Sequence, residues 1–137
     1  MSNALDPWAE TLLLKAAEDE AVLQIAEIPD SPFGFHAQQA VEKLMKAFLS
    51  QLNIAFDRTH DVSKLARQLE EAGEQLPACP VAFTELNRFA VVYRYDNIPD
   101  LEIPDRPGAI ETVRLIRTHV HARIAALSGA PLPPPLQ

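Results

Sequence analysis

The sequence predicts an all-α protein, an up-and-down bundle of about five helices, and three observations carry that expectation. Twelve prolines fall at 7, 29, 32, 77, 80, 99, 104, 107, 131 and 133–135, leaving the proline-free intervals 8–28, 33–76, 81–98 and 108–130. A proline inside a helix removes a hydrogen bond and clashes with the preceding turn, so these intervals are where helices can run. Each interval repeats apolar residues every three or four positions. None alternates with the period of two that a half-buried strand requires, although Val91-Val92-Tyr93 is strand-like in propensity.

The first helix is expected over about 7–27. Asp6 reads as its N-cap with Pro7 at the first helical position, and Trp8, Leu12, Ala16, Leu23 and Ala26 share its apolar side. The second, about 32–52, starts from a Ser31-Pro32 cap and carries the clearest stripe: Ala37, Ala40, Val41, Leu44, Met45, Phe48 and Leu52. Gln38, Gln39, Glu42, Lys43 and Lys46 fall outside that stripe. After a connector, a shorter third helix runs from Asp61 to about Ala72, with Val62, Leu65 and Leu69 inward and Gly73 as its C-cap. The fourth follows Pro80 to about Tyr95, presenting Phe83, Leu86, Phe89, Ala90, Val92 and Tyr93. The fifth covers about 108–127 on Ile110, Val113, Ile116, Val120, Ile124 and Leu127. Residues 1–128 form one bundle domain, and 129–137 a proline-rich tail expected to fray.

Composition narrows the function. A length of 137 residues suits one core and one task. A single cysteine, Cys79, forms no internal disulfide and no cysteine-rich zinc framework, which suits a cytoplasmic setting. The longest wholly apolar run is Phe89 to Tyr93, far short of a membrane span, so no membrane association is expected. The formal charge of −7 argues against a generic high-affinity nucleic-acid binder, and no DNA partner is expected. Residues 1–30 hold seven of the nineteen acids and one of the twelve bases, so −6 of the −7 resides there. The first helix is therefore expected to face away from any polyanion and to be available to a basic partner.

The glycines at 34, 73, 108 and 129 are too scattered for a phosphate-binding loop. His119 and His121 point about 200° apart on a helix and cannot share a metal within one protomer, so no metal and no cofactor is expected. Cys79 has no histidine near it in sequence to make a catalytic pair, though a helix start beside it could lower its pKa. Phosphate-directed side chains remain. Arg114, Arg117 and His121 fall on one stripe of the fifth helix. His36, Gln39, Lys43 and Lys46 run along one side of the second. Asn87 and Arg94 are seven apart on the fourth, with Tyr95 following. Arginine gripping a phosphate and histidine exchanging a proton are what metal-independent RNA cleavage requires. His60-Asp61 reads mainly as a cap for the third helix.

Three segments resemble the HEPN domain family: His36-Ala37-Gln38-Gln39-Ala40-Val41-Glu42-Lys43-Leu44-Met45-Lys46-Ala47, Thr59-His60-Asp61-Val62 with Leu65, and Val92-Tyr93-Arg94-Tyr95-Asp96 at the end of the fourth helix. Their order and spacing agree over about 8–127. The resemblance implies a HEPN-like bundle, a homodimer, and pairing with a minimal nucleotidyltransferase in a toxin–antitoxin arrangement. Some family members are metal-independent ribonucleases using an arginine followed after four to six residues by histidine. Others bind nucleotide or RNA, or serve as noncatalytic partners. In family position the arginine is Arg94, but residues 95–101 contain no histidine, so the catalytic pair is incomplete. The tyrosine that partner nucleotidyltransferases modify follows that missing histidine, and Tyr95 is a poor substitute for it. The leading expectation is a nucleotide- or RNA-phosphate-binding partner that uses Arg94, Tyr95, Asn87, Lys43, Lys46 and His36. The alternatives are a ribonuclease toxin using Arg94 or Arg114 with His121 or His36, and a noncatalytic dimerisation module.

Overall fold

A computed structural model describes residues 4–56, 58–94 and 105–129, with the backbone alone for 90–94. Five helices are present: α1 Pro7–Val22, α2 Asp30–Gln51, α3 Val62–Glu71, α4 Phe83–Arg94 and α5 Arg106–Ser128. Among the described residues there is no strand. The residues beyond Gly129, which hold the expected proline-rich tail, lie outside the described chain.

The helix boundaries follow from where polar backbone groups find partners. Asp6 caps α1 by accepting from the Ala9 N–H at 2.9 Å, with Pro7 just inside, as the sequence predicts. The helix then stops at Val22, five residues before its expected end. Leu23, Gln24 and Ile25 donate to the carbonyls of Glu20, Ala21 and Val22 in tight i−3 turns, and Gln24 to Glu27 are exposed, so no burial rewards continued α-helix there. The Ser31 cap is also corrected. α2 begins at Asp30 with Pro29 in the cap position and no side-chain cap bond. Pro32 sits in the first turn, where its missing N–H is one of the unpaired donors in any case.

Two helix ends close by the same device. After α3, the Gly73 N–H donates to Glu70 and the Glu74 N–H to Leu69, with Gly73 at φ 91°. After α2, the Asn53 N–H donates to Ser50 and the Ile54 N–H to Leu49, with Asn53 at φ 61°. Both are Schellman closures, which require a left-handed residue. α4 starts at Phe83 rather than directly after Pro80, and the Val81 N–H donates to the Thr112 hydroxyl of α5 at 3.2 Å.

α2 is the axis of the bundle and packs against α1, α3, α4 and α5. α1 runs antiparallel to it. Asp6, at the start of α1, accepts from the Ser50 hydroxyl at 2.6 Å, while Asp19, near its end, meets His36 at 2.8 Å. α5 runs in the same sense as α2, since Arg106 lies over the Phe33 ring and His119 lies edge-on to Phe48. Phe33, Ala37, Ala40, Val41, Met45, Phe48 and Leu49 of α2 are fully buried, with Leu65 and Leu69 of α3, Leu86 of α4, and Val113, Ile116, Val120 and Ile124 of α5.

Being enclosed, α2 buries more than its apolar stripe. Gln38, Gln39 and Glu42, expected outside it, are buried as well. On α1 the buried face is Ala9, Leu12, Leu13, Ala16 and Asp19, so Trp8, expected inward, is 56% exposed. No helix among the described residues is long and apolar enough to cross a membrane.

Gly34 allows α2 and α4 to approach closely. A Cβ built there would lie 2.7 Å from both Cβ and Cγ of Phe89. Gly34→Ala should therefore destabilise the fold by about 1–3 kcal/mol through overpacking, despite a gain of about 1 kcal/mol in helix propensity. Urea denaturation would show it, and an unchanged midpoint would contradict the packing argument.

Candidate functional site

The burial of α2 forces its polar residues to be satisfied from within, and two charged clusters result. The first is centred on Glu42, only 4% exposed. Its Oε2 accepts from Lys46 Nζ at 3.1 Å, while Oε1 accepts from Gln38 Nε2 at 3.3 Å, Gln39 Nε2 at 3.2 Å and His60 Nδ1 at 3.0 Å. Because an ionised carboxylate can only accept, His60 Nδ1 carries the proton and its Nε2 is left for other partners. Gln38 also donates to the His60 carbonyl, so the connector before α3 is tied to α2 twice. Lys46 completes its surroundings 5.8 Å above the Phe56 ring.

α3 continues this cluster. Asp61 caps the helix, accepting from the N–H groups of Ser63 and Lys64 and from the Ser63 hydroxyl. Asn87 of α4 accepts from the Val62 N–H at 3.0 Å and donates to Asp61 Oδ1 at 2.7 Å. These hydrogen bonds, the Ser63 hydroxyl first, hold the Asp61 carboxyl below its ordinary pKa. Asp61 thus caps α3, as the sequence predicts, while His60 turns to Glu42.

The second cluster is centred on Asp19 of α1, which is 7% exposed and accepts from His36 Nδ1 at 2.8 Å and Lys43 Nζ at 2.6 Å. Charges with this little exposure need close partners, since desolvation otherwise outweighs their attraction. The expected single strip of His36, Gln39, Lys43 and Lys46 is therefore divided, His36 and Lys43 to Asp19, Gln39 and Lys46 to Glu42. Asp19 and Glu20, two of the acids concentrated in residues 1–30, are thus paired with residues of α2 and α5.

The expected basic stripe of α5 is likewise partnered. Arg114 is held by Glu111 in a two-point bridge on the surface. Arg117 donates to Glu20 at 2.6 Å, and burial raises the Glu20 carboxyl pKa even with the guanidinium pulling the other way. Arg123 pairs with Glu74 at 2.9 and 3.1 Å, and Arg106 with Asp30 at 2.7 Å. His121 is pushed below the ordinary imidazole pKa, by burial first and by the Arg117 charge second. His119 Nε2 is buried without a hydrogen-bond partner. Cys79 is half-buried, and burial followed by the Glu111 charge raises its thiol pKa, the opposite of a nucleophile's requirement.

Of the expected site residues, the structure brings Asn87 to the α3 cap and Lys46 to Glu42, two positions joined through His60-Asp61. It sets Lys43 and His36 apart at Asp19, and Arg114 and His121 on α5. Arg94 is the last residue of α4, seven after Asn87. Its side chain and the whole of Tyr95 lie outside the described residues. Sequence reasoning missed the organising roles of Glu42 and Asp19. No spacing rule pairs Glu42 with His60 across 18 residues or Asp19 with Lys43 across 24. Among the described residues, no three His, Cys, Asp or Glu side chains converge as metal ligands.

The fold and these segments define a family. The family model for the HEPN domain matches residues 13–122, and the chain belongs to that family. No curated protein and no solved structure matches it.

Two outcomes test the charge arrangement. Glu42→Ala, which strands Lys46, His60 and two glutamines, should cost about 3 kcal/mol in urea unfolding. A loss near zero would show that Glu42 organises nothing. For His121, the folded pKa lies below the unfolded value of about 6.5, so the folded state binds fewer protons. Its contribution to stability is complete above that value and is lost as pH falls below it toward the folded pKa. NMR titration of the His121 ring should give a midpoint below 6.5. His121→Gln should reduce the acid-side fall of the urea midpoint.

Proposed function

We propose that this HEPN protein is a homodimeric nucleotide- or RNA-binding partner of a minimal nucleotidyltransferase in a toxin–antitoxin-type pair, and that it binds phosphate without cleaving RNA. The observation that carries the reading is Arg94, closing α4 at the family's arginine position with no histidine in residues 95–101. A guanidinium alone recognises phosphate, whereas cleavage through a 2′-hydroxyl also requires proton transfer. Asn87 supports the reading as a positioning residue. It anchors α4 to the start of α3 and so sets the register in which α4 ends at Arg94.

The ribonuclease alternative draws less support. Arg114, its other arginine, is bridged by Glu111, and His36, one of its two histidines, is bound to Asp19. Partnership with a nucleotidyltransferase is the family's implication for a chain with an incomplete catalytic pair.

Millimolar ATP, AMP or GTP should raise the thermal midpoint of the wild-type chain, since a ligand at ten times its Kd stabilises by about 1.4 kcal/mol. Arg94→Ala should abolish that shift. Labelled RNA incubated with excess protein in EDTA should stay intact. RNA cleavage would overturn the noncleaving role, and no shift with any nucleotide, together with no RNA binding, would overturn the binding role.

A further inference from the structure

The inner side of α1 accounts for only part of its apolar residues. α1 packs closely on α2 alone, and Ala9, Leu12, Leu13, Ala16 and Asp19 form its buried face. Among the described residues three large apolar side chains stand exposed: Trp8, Leu14 at 42% and Ile25 at 53%. All three belong to α1 or to the turn that closes it. Single exposed apolar residues scattered over a surface are ordinary, but their confinement to residues 8–25 marks one patch.

Helical geometry arranges this patch. Thr11, also exposed, lies three residues from both Trp8 and Leu14, so the two stand on either side of it along an outward arc. Val22, eleven residues after Thr11 and so three turns on, returns to the same line and is half-buried. A helix that carries apolar side chains on two sides is one that is covered on both.

The charges on the arc show what covers it. Exposed Glu10 and Glu18 each lie one turn from Leu14, and exposed Glu27 follows Ile25. Lys15 is the one lysine or arginine in residues 7–27, and it lies 3.6 Å from Glu18. The other acids of this stretch, Asp19 and Glu20, are taken up by α2 and α5. A second copy of the chain would set these acids against their own kind, with one lysine from each side between them. A lipid surface is held by helices with lysine and arginine along their polar side, the reverse of this one.

We infer that the outward arc of α1 is a docking surface for a basic amphipathic segment of a partner protein. Apolar side chains of that segment seat on Trp8, Leu14 and Val22, and its lysines or arginines reach Glu10, Glu18 and Glu27. A tryptophan among apolar residues with a charged rim is the composition of a binding centre. The inference goes beyond the proposed phosphate binding, since it uses a different helix from Arg94, and it requires the proposed homodimer to form through another face.

The test is fluorescence anisotropy of the full chain with two labelled synthetic helices of one amphipathic pattern, one of leucine and lysine, the other of leucine and glutamate. The wild type should bind the lysine helix and not the glutamate helix. Trp8→Ala and Leu14→Ala should each weaken that binding about tenfold, as truncation of an interface anchor does. Glu10→Gln with Glu18→Gln should weaken it and flatten its salt dependence. Glu70→Gln with Glu71→Gln, exposed acids at the end of α3, should change neither quantity. Every substituted side chain is exposed, so the thermal melts should match the wild type. Binding of both helices alike, binding of neither, or equal losses from the α1 and α3 acid pairs would overturn the surface. In sedimentation velocity Leu14→Glu should run as the wild type does, and a fall to half the wild-type mass would assign the face to a second copy instead. None of these substitutions should alter the thermal shift with nucleotide, so refutation of the surface leaves the phosphate-binding function standing.

Discussion

The constraint on which the rest of the structure depends is that a helix enclosed by four others carries an ionised side chain. α2 packs against every other helix, so Glu42 is almost wholly withdrawn from water and is satisfied by its neighbours. Four donors meet it, three from α2 itself and the fourth, His60, from the connector that leads into α3. Removing one partner from such a cluster leaves charge stranded in a medium that solvates it poorly, which is far more costly than the net worth of the intact cluster. The arrangement therefore acts less as a source of stability than as a device for register. It fixes where the connector crosses α2, and through the cap at Asp61 and the clamp of Asn87 it fixes where α3 and α4 begin.

Asp19 applies the same logic on the opposite side of the axis. A carboxylate on the buried face of α1 takes up His36 and Lys43, and Glu20 beside it takes up Arg117. The acidity concentrated in residues 1–30 thus serves partly to neutralise α2 and α5. The pairs differ in worth. Arg114–Glu111 and Arg88–Glu85 are solvated surface bridges of about 0–1 kcal/mol, whereas Asp19 and Glu42 are withdrawn from solvent and their partners are obligatory.

Much of the fold was legible because proline and capping act locally. Pro7 after Asp6, Gly73 after α3 and Gly129 after α5 each mark a helix end through backbone geometry that a neighbouring residue sets. The misplacements have equally local causes: a first helix that closes in i−3 turns once nothing covers its last turn, and a second that starts two residues early without a side-chain cap. Trp8 was read inward because an apolar side chain at helical spacing usually faces the core. The packing of α1 on α2 rotates the buried face toward Ala9, Leu13 and Asp19 instead.

The sequence by itself determined the all-α class, the number of helices and the caps at Asp6, Asp61 and Gly73, because those depend on interactions within a few residues. It also exposed the three family segments and the incomplete arginine–histidine pair, which are matters of residue order. Only the tertiary structure decided which charged residues face one another. Lys43 and Lys46 sit one turn apart and read alike, yet one is bound to α1 and the other to a carboxylate of its own helix. An ion pair between Asp19 and Lys43, or a hydrogen bond from His60 to Glu42, depends on how helices dock and on which surfaces lose their water. Neither is written into the spacing of residues along one strand of sequence.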